Sequence, residues 1–170
     1  LHRFLRNVME VKIARKRGFC FGVTDAIQLA QRTVNENKPG EVIALGPVIH
    51  NPQVVSDLEK AGLNQSGDIE AVKPGTTVLI RSHGAGPDVY DRAEQRQLHI
   101  VDATCVLVKR AQTVVRRLHE EGYRVVMIGD ADHPEVKGVI GYAPDVIVVD
   151  DKEQLPEKLP RRGKLGIVAQ

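Results

Sequence analysis

Apolar and polar residues alternate in blocks along the chain, in a pattern typical of strands followed by helices. Short runs rich in Val, Ile and Leu precede longer stretches whose apolar residues recur at helical spacing. The predicted strands are 11–14, 42–45, 76–80, 100–102, 124–128, 146–149 and 164–169. The predicted helices are 22–37, 52–61, 87–96, 106–121 and 134–142, with one further helical turn at 152–155. This alternation predicts an α/β fold of mainly parallel sheets flanked by helices.

The series of strands and helices runs twice, which predicts two small α/β modules. We place the first module at 11–104 and the second at 105–170, after a basic, leader- or tag-like segment at 1–10. The chain stops at Gln170, where the last predicted strand ends and a loop or helix would normally follow. We therefore expect a fragment of a longer protein whose second module is truncated.

The overall composition excludes several classes of protein. With 24 Lys and Arg against 22 Asp and Glu, the formal net charge of +2 is too balanced to predict a nucleic-acid surface. No apolar run approaches the ~18 residues of a membrane span, and no secretory signal is evident. A cytoplasmic location is therefore the expectation, with both cysteines in a reducing compartment.

Three histidines have the same setting in the sequence. His50, His83 and His133 each follow an apolar, strand-like run, and each precedes a proline that can begin a helix. Loops at the carboxyl ends of parallel strands meet at one edge of a sheet. Helix N-termini favour anions, and neutral imidazole can donate a hydrogen bond to one. We therefore predict that the three side chains share a site for phosphate or diphosphate.

The two cysteines, Cys20 and Cys105, also follow strand-like runs. A helix N-terminus after Cys105 favours thiolate, and glycines beside Cys20 let the backbone approach a bulky group. The residues alone leave three interpretations open: metal ligands, a redox pair or two buried thiols. Zinc would need four N or S ligands, and an iron–sulfur cluster needs more cysteines than this chain has.

Three further side chains lie in these predicted loops or in the helix turn that follows one of them. Glu135 follows His133 by two residues and is either a carboxylate that stabilises the helix dipole or a proton donor. Ser82 and Thr104 carry hydroxyls that either cap a helix or contact a ligand.

Five stretches, taken together, resemble the 4-hydroxy-3-methylbut-2-enyl diphosphate reductases, the LytB/IspH family of isoprenoid synthesis. They are RGFCFGV (17–23), GPVIHNPQVV (46–55), RSHGAGP (81–87), VDATCVLV (101–108) and GDADHPEVKG (129–138). The resemblance implies three α/β modules around a central [4Fe–4S] cluster held by three cysteines. It makes Cys20 and Cys105 the first two of those ligands, with the third cysteine in a third module absent from this sequence.

The resemblance also implies roles for the other candidate residues. His50, His83 and His133 would surround the substrate, mainly at its diphosphate. Glu135 would supply protons for loss of the hydroxyl group as water, and His133 would help to deliver them. Gln170 aligns with the glutamine immediately before a substrate-contacting threonine.

The implied reaction is the reductive dehydroxylation of 4-hydroxy-3-methylbut-2-enyl diphosphate to isopentenyl and dimethylallyl diphosphate in the non-mevalonate pathway. It needs an external electron donor such as ferredoxin or flavodoxin. One departure is Val106, where the family normally has proline. Another is the missing third module. Because that module would carry the third cysteine, we expect the isolated chain to be inactive. The alternatives are a non-catalytic module that binds a phosphorylated ligand and a two-cysteine zinc or redox protein.

Overall fold

Two parallel sheets organise the chain, and the computed structural model describes residues 10–154, 159 and 163–170. The first sheet has the strand order β2-β1-β3-β4. Its strands are β1 (Val42–Leu45), β2 (Asn64–Ser66), β3 (Thr77–Ile80) and β4 (His99–Asp102). Its helices are α1 (Phe21–Glu36), α2 (Pro52–Lys60) and α3 (Pro87–Gln95), with a 3₁₀ turn at Ile69–Ala71.

The second sheet has the order β6-β5-β7, and all its strand pairs are also parallel. Its strands are β5 (Arg124–Ile128), β6 (Ile147–Val149) and β7 (Leu165–Ala169). Its helices are α4 (Val106–Glu120) and α5 (Pro134–Ile140), with a 3₁₀ turn at Lys152–Gln154. The prediction of an α/β fold with parallel sheets and flanking helices is confirmed.

Helices cover both faces of the first sheet, which explains why its strands are apolar on both faces. Leu79 packs in one apolar cluster with residues of α1 and α2, whereas its neighbours Val78 and Ile80 pack in a second cluster with residues of α3. Successive side chains of a strand point to opposite faces, so each strand contributes to both clusters. A third cluster joins Val125 and Met127 of β5 to α4 and α5.

Local capping places the helices at the positions that the sequence predicts. Asn51 begins α2, because its Oδ1 accepts a hydrogen bond of 3.1 Å from the Val54 N–H and Pro52 fits the first helical position. Gly122, with φ of +77°, follows the end of α4. Strand β1 and the start of α2 therefore fix the loop that carries His50.

Two predictions about strands were wrong. Residues 11–14 form no strand: Val11 and Ile13 are 76% and 72% exposed, and no described strand pairs with them. A strand without a hydrogen-bonded neighbour has nothing to stabilise it. Strand β2 was not predicted because its sequence, NQS, is polar. It forms because its backbone pairs with β1, in the register Ile43 opposite Asn64.

Parts of the predictions lie outside the described residues. These are residues 1–9 of the leader-like segment and residue 155 of the last predicted turn. The division between the modules at 104 and 105 remains a prediction. Among the described residues, no helix combines the length and the apolar character that crossing a membrane requires.

Candidate active site

The structure brings His50, His83 and His133 together. The ring centroids of His50 and His83 are 4.2 Å apart, and that of His133 lies 5.5 Å from His50 and 5.8 Å from His83. Each ring comes from the loop after a different strand, β1, β3 or β5. We call these three residues the histidine cluster.

Ser82 ties the loops of the cluster to one another. Its N–H and its Oγ both donate to the Val48 carbonyl, at 3.1 and 2.9 Å, two residues before His50. Its own carbonyl accepts a 2.9 Å hydrogen bond from the Cys105 N–H. Ser82 is only 6% exposed. The sequence left open whether this hydroxyl caps a helix or contacts a ligand. It instead joins the loop of His83 to the loop of His50.

Helix α5 approaches the first module closely enough to place His133 in the cluster. A Cβ at Gly138 would lie 3.4 Å from three backbone atoms, including the His83 carbonyl oxygen. A methyl group at this position would therefore touch that backbone at an ordinary contact distance. Helix α5 thus packs closely against the loop of His83.

His83 is the member of the cluster with the most strongly perturbed titration. Burial, followed by the nearby charges of His50, Arg81 and His133, lowers its pKa to about 4. Its Nδ1 is buried and has no hydrogen-bond partner among the described residues. The ring is consequently neutral near pH 7, and an anion bound beside it would stabilise its protonated form.

The tautomer of His133 follows from its backbone contact. Its Nδ1 lies 3.2 Å from the Glu135 N–H, which can only donate, so Nδ1 accepts. In the neutral ring the proton is therefore on Nε2. The side-chain amide of Gln170 lies 2.6 Å from the same Nδ1. Gln170, at the end of β7, thus helps to hold the ring at the edge of the sheet.

Glu135 lies in the first turn of α5 and is half-buried. Its backbone N–H binds His133, as described above, and its carboxylate makes no ion pair with another described residue. A carboxylate at this position interacts favourably with the positive end of the helix dipole. Its role as a proton donor remains a prediction.

Both cysteines occupy the N-cap position of a helix and both thiols are free. Cys20 precedes α1 and is exposed, whereas Cys105 precedes α4 and is partly buried. A Cβ at Gly22 would lie 2.4 Å from Cys105 Sγ, so the first turn of α1 lies directly against that thiol. Four exposed apolar side chains flank the two cysteines: Phe19, Phe21, Val106 and Leu107. We call Cys20 and Cys105 the cysteine pair.

An aspartate fixes the turn that leads to Cys105. Asp102 Oδ1 accepts hydrogen bonds from the Thr104 N–H, at 2.9 Å, and from the Thr104 hydroxyl, while its Oδ2 lies 2.8 Å from Lys109 Nζ. Burial acts to raise the pKa of Asp102, but the hydrogen bonds from Lys109 and Thr104 outweigh it and lower the pKa. The Thr104 hydroxyl, for which the sequence left a cap or a ligand contact open, is therefore used within this turn.

The cysteine pair fits part of the ligand set of an iron–sulfur cluster. Such clusters are held by cysteine thiolates, commonly four. Two free thiols at adjacent helix N-termini have the required chemistry but supply only two ligands. In the part of the chain that the structure describes, no group of three or more His, Cys, Asp or Glu side chains is arranged to hold a metal ion. The remaining ligands would have to come from outside these residues.

A family model described as LytB protein matches residues 11–170. The chain belongs to the LytB protein family. It is 47% identical, over 162 residues, to the 4-hydroxy-3-methylbut-2-enyl diphosphate reductase of Geobacter sulfurreducens, covering 95% of this chain and 56% of that protein. The corresponding reductase of Geotalea daltonii is 45% identical over the same length and share. The LytB-family chain thus spans about half the length of the curated relatives it matches.

Solved structures of LytB-type reductases share the fold. A structure of (E)-4-hydroxy-3-methyl-but-2-enyl diphosphate reductase, described as the terminal enzyme of the non-mevalonate pathway, superposes with a TM-score of 0.79 at 43% identity. The match covers 90% of this chain and 55% of that one. The E-1-hydroxy-2-methyl-but-2-enyl-4-diphosphate reductase of Plasmodium falciparum superposes with a TM-score of 0.86 at 31% identity, covering 92% and 49%. The family resemblance predicted from the five sequence stretches is confirmed.

Sequence reasoning missed several residues that shape this site. Asp102 organises the cysteine turn, Gln170 contacts His133, and Arg81 lowers the pKa of His83. For Arg81 a signal was present, because it is a charged residue directly after the buried run TVLI. The contact of Gln170 had no sequence signal, since it joins residues 37 positions apart.

Proposed function

We propose that this chain forms part of an iron–sulfur reductase that converts 4-hydroxy-3-methylbut-2-enyl diphosphate to isopentenyl and dimethylallyl diphosphate. The observation that carries the proposal is the histidine cluster, three imidazoles whose ring centroids lie within 5.8 Å of one another, with the loop of His83 hydrogen-bonded to Cys105. Relatives at 45–47% identity bear the name of this reductase. These relatives are about twice as long as the matched region. We assign the complete activity to a protein that contains the rest of that length as well.

The histidine cluster binds the diphosphate of the substrate. His83 is neutral in the free protein and offers one N–H donor, and His133 offers its Nε2–H. Because burial and neighbouring charge lower the pKa of His83, the anion raises that pKa when it binds and favours uptake of a proton. Binding the remote diphosphate also orients the allylic hydroxyl group, which is where the bond breaks.

Cys20 and Cys105 ligate the iron–sulfur cluster together with a third cysteine outside this chain. The cluster, when bound, supplies the electrons and polarises the C–O bond. The exposed side chains of Phe19 and Val106 beside the cysteines limit the access of water to this place. An external donor of the ferredoxin or flavodoxin class restores the electrons. We also propose a cytoplasmic location, where free thiols persist.

Glu135 supplies protons in this scheme. The reaction consumes two electrons and two protons: one proton leaves with the hydroxyl group as water, and the other ends on the carbon skeleton. A carboxylic acid beside the departing oxygen is suited to the first transfer. The hydrogen bond from the Glu135 N–H to His133 Nδ1 fixes the position of the imidazole relative to Glu135. His133 helps to deliver the proton.

The test is a fusion of this chain to the part of the Geobacter sulfurreducens relative that it does not cover, reconstituted anaerobically with iron and sulfide. We expect both diphosphate products with a chemical electron donor. His50→Ala weakens binding of the diphosphate substrate about tenfold or more, measured by calorimetry. Glu135→Gln lowers kcat about 100-fold or more with little change in substrate Kd.

The matched control is His99→Ala, which changes an exposed histidine at the start of β4. It should leave both Kd and kcat unchanged. Unchanged substrate binding in His50→Ala would remove the cluster from the diphosphate site. Full turnover in Glu135→Gln would remove that residue from proton transfer. A chain that binds the diphosphate but never assembles a cluster in the fusion supports the non-catalytic alternative instead.

A further inference from the structure

A cavity of about 350 Å³ lies between the two modules. One side is formed by the ends of β1 and β3 and by the start of α3, and the other side by Pro134, Lys137 and Gly138 of α5. None of the three clustered histidines lines it, although Gly84 and Pro134, which directly follow two of them, do. Cavities of this size between domains commonly hold small ligands.

Cationic side chains from three different elements converge on the cavity: Arg81, Arg92 and Lys137. Two carboxylates also line it, but each already has a partner. Asp88 pairs with Arg92, and Asp68 accepts a 2.9 Å hydrogen bond from a backbone N–H two residues further along. Lys137 Nζ lies 3.0 Å from an aspartate outside the lining. Two of the three cations, Arg92 and Lys137, are therefore paired with a carboxylate, whereas Arg81 has no ion pair among the described residues.

Arg81 is the cation of the lining that forms no ion pair with another described residue. Among the described residues its guanidinium has neither an ion pair nor a side-chain hydrogen bond, and the residue is half-buried. Desolvation by burial lowers the pKa of Arg81, which measures the cost of holding the charged group there. An arginine nevertheless stays protonated at neutral pH. An uncompensated, half-buried guanidinium facing a cavity is a binding group for an oxyanion.

One wall of the cavity has a small apolar patch. Leu45 and Val89, which are partly exposed, supply it, whereas Ile69 and Ile80 are almost fully buried and present little surface to a ligand. A fully polar ion such as free phosphate would leave these apolar side chains exposed to water. A molecule with an anionic head and a small apolar group would cover them and would also reach Arg81.

We propose that this cavity is a second anion site, which binds a small organic phosphate through Arg81, with Lys137 and Arg92 at its rim. The planar guanidinium makes two parallel hydrogen bonds to a phosphate, and the apolar patch holds the organic part. The site joins residues of the first sheet and its loops to residues of α5, so its ligand bridges the two modules. The inference does not rest on the proposed reductase function, because neither the histidine cluster nor the cysteine pair lines the cavity, although Arg81 lies near enough to His83 to lower its pKa.

Phenyl phosphate is a suitable probe, since it has one phosphate head and one small apolar group. The unmodified chain is titrated at constant ionic strength, and binding is followed through the arginine Nε–H and backbone amide resonances. We expect Arg81→Gln to weaken binding about tenfold or more, because it removes the charged fork. Arg81→Lys keeps the positive charge but not the planar guanidinium, so its affinity should lie between those of the unmodified chain and Arg81→Gln.

Two variants serve as controls. Arg110→Gln removes the same charge from an exposed position of α4, outside the cavity, and should leave the affinity unchanged. His99→Ala, which changes an exposed histidine outside both the cavity and the histidine cluster, should also leave it unchanged. Should Arg81→Gln fail to fold, Lys137→Gln and Arg81→Lys take its place, each with a loss of affinity expected.

Three results would overturn the proposal. The first is equal affinity of the unmodified chain and the Arg81 variants. The second is loss of binding in His50→Ala, which would assign Arg81 to the histidine cluster. The third is equal binding of benzoate, which has the same ring but a carboxylate head, since this would exclude specificity for phosphate.

Discussion

The histidine cluster and the cysteine pair are neighbours in the fold, but different forces hold them in place. Hydrogen bonds fix the histidine loops: Ser82 joins two of them, and His133 accepts from the backbone of its own helix. Neither thiol of the cysteine pair caps its helix. Cys105 is positioned instead by the turn around Asp102 and by direct contact with the first turn of α1.

This difference indicates which half of the site is ready for its ligand. Polar groups held by internal hydrogen bonds keep their geometry when no ligand is bound, so the loops of His50 and His83 and the ring of His133 are already in place. The cysteine pair keeps exposed apolar neighbours, Phe19 at 50% and Val106 at 59%, which have no cover among the described residues. Four substitutions separate the two modes of support.

The largest effect is expected for Gly22→Ala. The new methyl group would lie 2.4 Å from Cys105 Sγ, so the thiol or helix α1 must move. Overpacking of this kind costs about 1–3 kcal/mol in the free energy of unfolding, measured by urea denaturation. Combining Gly22→Ala with Cys105→Ala removes the collision, so most of the cost should disappear. An undiminished cost in the double variant would contradict the contact.

Asp102→Asn tests the turn before Cys105. Because hydrogen bonds from Lys109 and Thr104 lower the pKa of Asp102 in the folded state, the carboxylate stabilises the fold above its ordinary pKa of 3.8. That contribution is lost as the pH falls further, through the folded-state pKa. We expect Asp102→Asn to be less stable by about 1 kcal/mol at pH 7 and to approach the unmodified chain as the pH falls below 3.8. A difference that does not shrink below pH 3.8 would indicate another cause.

Ser82→Ala tests the hydrogen bonds of the histidine loops. The substitution removes the 2.9 Å bond from Oγ to the Val48 carbonyl but leaves the bond from the Ser82 N–H. The expected loss of unfolding free energy is about 1 kcal/mol. Ser56→Ala, within α2, is the matched control and should be neutral or slightly stabilising. Equal behaviour of the two variants would argue against a linking role for Ser82.

His83→Gln should have the smallest effect at pH 7 and a visible one in acid. The pKa of His83 is about 4 in the folded state against an ordinary 6.5, so the unfolded chain binds more protons between these values. Stability therefore falls as the pH drops from 6.5 towards 4. We expect the variant to lose less stability over this range, measured by unfolding at pH 7 and pH 5. The same loss in both proteins would show that His83 does not titrate as described.

The sequence predicted most elements because their residues carry the signals of period and capping. Strand β3 is a buried apolar run, and α2 begins with an asparagine cap followed by proline. It also predicted that the three histidines share an edge, since each follows a strand. Residues 11–14 have the composition of a strand but no described partner, and β2 has a partner but no apolar composition. Strand formation depends on pairing, which a local pattern does not contain.

The finer geometry of the site depends on contacts between residues far apart in the chain. Ser82 and Val48 are 34 positions apart, and Gln170 and His133 are 37 apart. No periodicity connects such residues. The unpaired state of Arg81 is likewise a property of the assembled cavity, since the other lining residues come from the first sheet, its loops, α3 and α5.

The backbone hydrogen bond from Cys105 to Ser82 has a consequence for motion. It couples the cysteine turn and the loop of His83 into one unit, since opening either of them breaks this shared hydrogen bond. Exchange of the Cys105 amide proton with solvent deuterium would report how often that unit opens. A ligand that binds the histidines alone should therefore slow exchange at the cysteine, without touching it.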